Sequence, residues 1–343
     1  MIWLLPFHDT MQYNELGQSG LSVSRLCFGT LTIGPSQAAL CDDEAASLIV
    51  YSLNKGINFL DTAELYDNYD VIRKVLRQCS RRPVIATKTY AYTRQQAQAS
   101  FDLARKKLDT DCIDIFLLHE QESMLTMAGH HEAFSFMLEL KEKGLVRAIG
   151  LSTHAIEPVR ALADAKSSHN SIWHKHQLEP GAYRYADIIH PLINLRGIGI
   201  LDGSAGEMIT ACRQAQSTGL GLYGMKALGG GHLLPVYCEA MAFMMDLEFL
   251  SSVAVGMQSQ DEIDTNLSVF SGLPVSDKQV KQAMRKKRQL RIEDWCSGCG
   301  KCVERCGEDA LYMLRDKAHV NQQKCVYCGY CASVCREFAI KIF

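Results

Sequence analysis

Eight cysteines between Cys296 and Cys335 constrain this chain more than any other feature. They form two runs of one spacing, C-x2-C-x2-C-x3-C: Cys296, Cys299, Cys302 and Cys306, then Cys325, Cys328, Cys331 and Cys335. Three thiolates at this spacing wrap one iron–sulfur cube corner by corner and the fourth reaches across to the other cube, so the duplicated run implies two [4Fe–4S] clusters. By that rule Cys296, Cys299, Cys302 and Cys335 hold one cluster, and Cys325, Cys328, Cys331 and Cys306 hold the other. Two zinc sites are the competing reading, because C-x2-C pairs also serve tetrahedral zinc. The composition turns cysteine-dense at Glu293, which sets residues 293–343 apart as a small α+β domain.

The rest of the chain must build its own core. Of 343 residues 47% are apolar, and Lys plus Arg (36) nearly balance Asp plus Glu (38). No basic field therefore points to nucleic acid, and no acidic excess to a solvated, disordered chain. No apolar run approaches the roughly 18 residues that span a bilayer, so no membrane segment is expected. From Met11 to about Phe270, short β-branched runs alternate with amphipathic segments, the pattern of βα units around a parallel sheet. Strands are expected at Arg25–Gly29, Asn58–Thr62, Pro83–Thr89, Cys112–His119, Ala148–Ser152, Ala186–Asn194, Gly221–Ala227 and Ser252–Met257. Helical spacing is clearest in Glu44–Lys55, Gln95–Leu108, Ala133–Lys143 and Ala205–Ser217. Eight such units in roughly 250 residues suit a (β/α)8 TIM barrel better than an open sheet.

The expected organisation is an N-terminal extension (1–10), the barrel (11–275), a connecting basic helix (276–292) and the two-cluster domain (293–343). The apolar start Met1–Phe7 lacks the basic region and cleavage site of a signal peptide. The six cysteines outside the two runs follow no framework, which suits a reducing cytoplasm. Lys166–Tyr185 reads as a long irregular connection, and its His169, His174 and His176 as ordinary loop histidines. The Ser276–Arg291 helix carries Lys278, Lys281, Arg285, Lys286, Lys287, Arg288 and Arg291, either a solvated face or a dock for an acidic electron-transfer partner.

Four residues fall at or just after early strand ends: Asp61 and Tyr66 in Asp-Thr-Ala-Glu-Leu-Tyr, Lys88 in Ala-Thr-Lys-Thr, and His119 in Phe-Leu-Leu-His-Glu. In a barrel such positions reach the C-terminal mouth, where these folds do chemistry. A phenol of pKa about 10 is a poor acid at neutral pH, but a neighbouring ammonium eases its proton donation. A carboxylate beside that ammonium keeps it charged and placed. The imidazole can hold the substrate oxygen or relay the proton, a set suited to protonating an alkoxide as hydride reaches a carbonyl carbon. Taken singly, each residue also reads as a helix cap, a surface group or a core group.

In that order, with those flanks, the four resemble the Asp, Tyr, Lys and His tetrad of the aldo-keto reductase family, residue by residue, over roughly Tyr13–Asn266. Leu16–Thr30 is similar to that family's opening hairpin and first strand. The last 50 or so residues resemble the bacterial two-cluster ferredoxin, with Gly307 and Arg336 where that family usually has Pro. As a whole the chain resembles the iron–sulfur branch of the aldo-keto reductases, found mostly in anaerobes.

The resemblance implies NAD(P)(H) as cofactor and a small-molecule carbonyl as substrate. Members hold the nicotinamide amide with a Ser-Asn pair after the fifth strand and a Gln on the sixth; here Ser152-Thr153 and His190 stand there. Met225-Lys-Ala-Leu-Gly-Gly-Gly231 reads as a backbone wrap for a pyrophosphate or as a plain glycine turn. Val255–Asn266, with Gly256, Met257 and Asn266, resembles the family's adenosine-phosphate loop, but Gly256 and Glu262 replace its usual Lys and Arg, and the segment holds no cation. A 2′-phosphate there would lack a guanidinium partner, so NADH is at least as plausible as NADPH.

Nicotinamides move two electrons as hydride, whereas each cluster moves one, and no flavin motif stands out to connect them. Three expectations follow: a carbonyl-reducing enzyme with an accessory relay or structural cluster domain, served by a ferredoxin or other redox partner protein; a ferredoxin-linked electron-transfer protein whose barrel holds another redox group or a partner protein; or a regulatory or binding module that kept the tetrad without turnover. The intact tetrad favours the first.

Overall fold

The alternating apolar runs of residues 26–256 become eight parallel strands that close on themselves. A computed structural model describes residues 11–35, 37–167, 170–231, 233–283, 289–325, 330–337 and 339–342. Cys328, His169, Arg285, Lys286, Lys287 and Arg288 lie outside the described residues. A hairpin of β1 (Tyr13–Glu15) and β2 (Ser22–Ser24) comes first. The barrel strands are β3 (Leu26–Gly29), β4 (Phe59–Asp61), β5 (Val84–Thr89), β6 (Ile113–Leu118), β7 (Val146–Thr153), β8 (Ile188–Pro191), β9 (Gly221–Gly224) and β10 (Ser252–Gly256). Every expected strand is present, trimmed or extended by a few residues at its ends. Closure runs β10 to β3, with Val253 opposite Leu26 and Gly256 opposite Gly29. Beside that seam the buried Arg25 guanidinium donates to the carbonyls of Met245 (3.0 Å) and Leu247 (3.1 Å) and to that of Leu250.

Alternation along the strands produces two cores, because successive side chains point to opposite faces. Cys27, Phe59, Ala86, Ile115, Leu117, Ala148, Ile188 and Tyr223 fill the barrel, and Leu16, Leu21 and Val23 from the hairpin plug its N-terminal end. The other faces meet the surrounding helices in a larger core. The mouth at the strands' C-terminal ends is left for polar residues.

Two sequence expectations change. The Lys166–Tyr185 connection contains a helix, Ser171–Lys175, and a 3-10 turn, Gly181–Tyr185. Trp173 in it is fully buried, its indole N–H donating to Ala161 O at 2.8 Å, and Tyr183 stacks on Phe134. These anchors are spaced too irregularly to register as a periodic face. The Ser276–Arg291 helix is described only over Asp277–Ala283, and its expected end is instead β11 (Leu290–Ile292), paired antiparallel with β14 (Ile340–Ile342). Residues assigned to the connector thus belong to the small domain, whose second sheet pairs β12 (Leu311–Leu314) with β13 (Lys317–Val320). Among the described residues no helix is long and apolar enough to cross a membrane.

Candidate active site and cluster cavity

Asp61 ends β4, Lys88 lies near the end of β5 and His119 follows β6, so adjacent parallel strands deliver all three to one side of the mouth. Tyr66 comes from the 3-10 turn Glu64–Tyr66 after β4. That turn is tied down by a buried amide: Asn68 accepts from the Thr62 hydroxyl at 2.6 Å and donates to Thr30 O at 3.1 Å, while the Thr30 hydroxyl donates to Asp61 O at 2.9 Å. The Lys88 ammonium donates to the Asp61 carboxylate and to Thr62 O, each at 2.8 Å, and both charged side chains are almost fully buried. It lies 5.1 Å from the centre of the Tyr66 ring. The Tyr66 and His119 rings meet edge to face at 5.8 Å, and Tyr90 stacks on His119 at 4.5 Å. The structure thus brings the four predicted residues together.

The electrostatics differ from the sequence expectation in one respect. Lys88 is committed to Asp61, and burial first, then the charges of Asp61 and Glu120, hold the Tyr66 phenol well above its ordinary range. Tyr66 is therefore a fully protonated donor, not one eased toward phenolate. Burial, reinforced by the Lys88 charge, pushes the His119 imidazole well below its usual value, so the ring is neutral. Its Nδ1 and the Gln121 Oε1 are buried with no hydrogen-bond partner among the described residues. A polar ligand at the mouth would satisfy such atoms.

The predicted nicotinamide contacts separate into two groups. Ser152 Oγ accepts from Glu120 N–H at 2.9 Å and keeps its own proton to donate. The Thr153 hydroxyl is folded onto its own turn, donating to Ala155 O at 3.0 Å and accepting from Ala155 N at 2.8 Å. His190 lies deeper than expected: Nδ1 hydrogen-bonds Tyr223 O at 2.6 Å, the ring stacks on Tyr223 at 3.8 Å, and Nε2 lies 3.7 Å from Asp61 Oδ1. Tyr223 in turn donates to Asp61 at 2.9 Å. Tyr223 thus braces the carboxylate from below, and His190 holds Tyr223 through its carbonyl and its ring. Tyr223, Tyr90 and His154 carry no signature in the sequence; Tyr223 and His154 reach the tetrad only through tertiary packing.

Burial pushes His190 down to about 4. An unfolded imidazole takes its proton below about pH 6.5, so between these values the unfolded chain binds the extra proton. This contribution is complete above pH 6.5 and is lost as pH falls toward 4, by about 3 kcal/mol. His119 and His154, both also lowered, act in the same direction. Urea unfolding across this window should show a shallower pH dependence in His190→Gln than in the wild-type chain; equal slopes would place the proton uptake elsewhere.

Behind the mouth, at the ends of β3, β9 and β10, lies a cavity of about 760 Å3 including solvent at its opening. Thr32, Lys226, Gly230, Gly256, Glu262 and Asn266 are among the residues lining it. Met225 is half-buried beside β8, where Leu192 bridges to it. Met257, expected at the cofactor, is fully buried in the outer core instead. Asn266 has both amide ends engaged, donating to Glu262 O at 2.8 Å and accepting from the Tyr237 hydroxyl at 2.9 Å.

In the small domain Cys296, Cys299, Cys302 and Cys335 line one cavity, so the last cysteine of the second run joins the first three of the first. Among the described residues no three His, Cys, Asp or Glu side chains converge closely enough for a single metal ion. Four thiols around a shared space fit a cube better than a zinc ion. Cys306 and Cys335 accept at sulfur from Ala310 N–H (3.4 Å) and Ala339 N–H (3.3 Å), the same contact in each half. Cys306, Cys325 and Cys331 pack in the same small core. Tyr330, just before Cys331, donates to Gly229 O at 3.3 Å, and the Arg305 guanidinium, just before Cys306, covers its ring at 5.2 Å. Tyr330 therefore ties the small domain to the glycine turn after β9.

Residues 25–237, more than half of the chain, match the Aldo/keto reductase family. The chain belongs to the aldo/keto reductase family. Residues 281–336 match the 4Fe-4S dicluster domain. A probable aldo-keto reductase 1 of Glycine max is 30% identical over 173 residues, 43% of this chain and 49% of that protein. An NADPH-dependent alpha-keto amide reductase of Saccharomyces cerevisiae is 30% identical over 151 residues, 40% of this chain and 48% of that protein. The chain thus spans about half the length of the curated relatives it matches. The fold is also that of the solved aldo-keto reductase AKR11C1 from Bacillus halodurans in its holo form, with a TM-score of 0.59 at 20% identity, covering 80% of this chain and 96% of that one. Beyond the family's tetrad, the braced carboxylate and the docked iron–sulfur domain are features of this aldo/keto reductase chain's own geometry.

Proposed function

We propose that the chain is an oxidoreductase that reduces the carbonyl of a small molecule at the barrel mouth, with Tyr66 as proton donor. The observation that carries this reading is the buried Lys88–Asp61 pair beneath Tyr66 and His119. Ser152 and the cavity behind the mouth would hold a reduced nicotinamide, whose chemistry would be hydride donation to the carbonyl carbon. His119, neutral and clamped by Tyr90, orients the carbonyl oxygen. Tyr66 gives its proton to the alkoxide, a far stronger base than a phenolate, so a phenol held protonated still transfers downhill. The Lys88 ammonium lies close enough to stabilise the phenolate left on Tyr66, and Asp61, braced by Tyr223, holds Lys88 in place. Burial of this set raises the strength of each interaction.

Cys296, Cys299, Cys302 and Cys335 would hold one [4Fe–4S] cluster and Cys306, Cys325, Cys328 and Cys331 the other, each cluster exchanging single electrons. The contact of Tyr330 with Gly229 favours a second reading, in which the clusters exchange electrons with a redox group in the barrel through a two-to-one electron converter such as a flavin. The cluster-replete protein, kept anaerobic, should oxidise NADH or NADPH only when an aldehyde or ketone is added, with the clusters' paramagnetic signal unchanged. Nicotinamide oxidation without carbonyl, accompanied by cluster reduction, would replace the first reading with the second.

A further inference from the structure

Charge is unevenly spread around the mouth. The segments that follow β4, β5 and β6 (62–68, 90–93 and 119–123) contain Glu64, Asp67, Glu120 and Glu122 and no lysine or arginine. Lys88 beneath them is committed to Asp61, and Lys226 stands three strands round the barrel, after β9. The charges of Asp67 and Glu64 reach Lys107 and Tyr69, whereas that of Glu120 reaches Tyr66, Tyr90 and His154. Glu120 is thus the carboxylate that acts on the tetrad from the solvent side.

Its position is fixed by backbone and ring contacts. The φ of Glu120 is +48°, a left-handed conformation rare for a residue with a side chain. It is held there by two hydrogen bonds to one residue: Glu120 N–H donates to Ser152 Oγ at 2.9 Å and Gln121 N–H to Ser152 O at 2.8 Å. One carboxylate oxygen accepts from the Tyr90 hydroxyl at 2.5 Å, and the Tyr90 ring stacks on His119. The other oxygen stands 3.8 Å from His154 Nε2, too far for a hydrogen bond, and 35% of the Glu120 side chain is open to solvent.

Three side-chain atoms around this carboxylate are buried with no hydrogen-bond partner among the described residues: His119 Nδ1, Gln121 Oε1 and His154 Nε2. All three can accept, and Gln121 Oε1 can do nothing else. The neighbouring donors are already used, the Tyr90 hydroxyl on Glu120, the Gln121 amide on His119 O at 3.2 Å and the Thr62 hydroxyl on Asn68. A sugar, whose hydroxyls both donate and accept, would be matched on one side only. An ammonium donates alone, so it fits an acceptor-rich corner that carries negative charge.

We propose that Glu120 selects a carbonyl compound bearing a protonated amine, accepting the amine's N–H donors while Tyr66 and His119 receive the carbonyl oxygen. This deepens the carbonyl-reducing reading above and rests on it. A keto acid would meet Glu120 and Glu122 with like charge and be disfavoured.

The test uses the full-length, cluster-replete protein, kept anaerobic, with reduced nicotinamide and three benzaldehydes: 4-(dimethylaminomethyl)benzaldehyde, cationic at neutral pH; its neutral isostere 4-isobutylbenzaldehyde; and the anion 4-carboxybenzaldehyde. The wild-type kcat/KM should be highest for the cation and lowest for the anion, with the cation ahead of the neutral compound by about 10-fold. Glu120→Gln, which keeps an acceptor for the Tyr90 hydroxyl, should bring that ratio close to one, and Glu120→Lys should move the anion ahead of the cation. Binding of the three corresponding benzamides, which are not reduced, reads the same order without turnover. A wild-type chain that does not prefer the cation, or a preference that survives Glu120→Gln, would overturn the proposal. An equal fall for all three aldehydes in Glu120→Gln would also overturn it, and would assign Glu120 to the Tyr66 proton instead. If the benzamides bind in the expected order but no aldehyde is reduced, the carbonyl reading fails and the cation selectivity stands; if neither result is obtained, both fail.

Discussion

Tyr66→Phe is expected to lower the turnover number for carbonyl reduction by about 100- to 10,000-fold, with the dissociation constant for the dinucleotide and the iron content unchanged. The size follows from the geometry. Tyr66 is the phenol at the mouth that faces both the buried ammonium and His119, and its ring would remain in place when only the hydroxyl is removed. The substitution deletes a proton that is transferred as charge develops on the substrate oxygen, so it acts on turnover more than on binding. Pre-steady-state measurement with NADH and an aldehyde separates the chemical step from product release. A variant that reduces carbonyls at the wild-type rate would remove Tyr66 from the chemistry, and His119 would become the donor to test next. A change confined to KM would instead assign Tyr66 to binding.

Cys335→Ala has the other large effect, and its location is what makes it informative. Cys335 belongs to the second run in sequence, yet it shares a cavity with Cys296, Cys299 and Cys302. The variant should lose the first cluster and keep the second, so that iron falls from about eight to about four atoms per chain. Its spectrum should match that of Cys296→Ala and differ from that of Cys325→Ala. If Cys335→Ala and Cys325→Ala instead lose the same cluster, the crossing between the runs is wrong. The ligands and the chain around them share one small core that also includes Leu290 and Ile340, so loss of that cluster should also lower the unfolding temperature of the small domain.

How much was legible beforehand varies with the kind of signal. The barrel strands announced themselves because β-branched runs such as Val84–Thr89 and Ile113–Leu118 are short, apolar and punctuated by polar helices. The connection at 166–185 hid its order, since Trp173 and Tyr183 are single anchors and no period connects them. β11 was missed because three residues beside a basic run carry too little pattern, and its partner β14 is some 50 residues away. At the mouth, Asp61, Tyr66, Lys88 and His119 were recognisable from their flanks. The roles of Thr153, His190 and Met257 were not, because nothing local tells whether a hydroxyl turns back on its own backbone or a ring slides beneath a carboxylate.

Sequence by itself determined the alternation that closes the barrel, the order of the tetrad and the ligand types and spacing of the cysteine runs, because each depends on residues close together in the chain or on a repeating period. Only tertiary structure decided the charge state and support of the site. Burial of Lys88 against Asp61 leaves Tyr66 a protonated acid, and Tyr223, from a strand more than 100 residues away, braces the pair with His190 stacked behind it. Tertiary structure also brought Thr32, Lys226 and Glu262 to one cavity and set Tyr330 against Gly229. These are contacts between distant segments, and desolvation and steric exclusion come into being only when such segments pack.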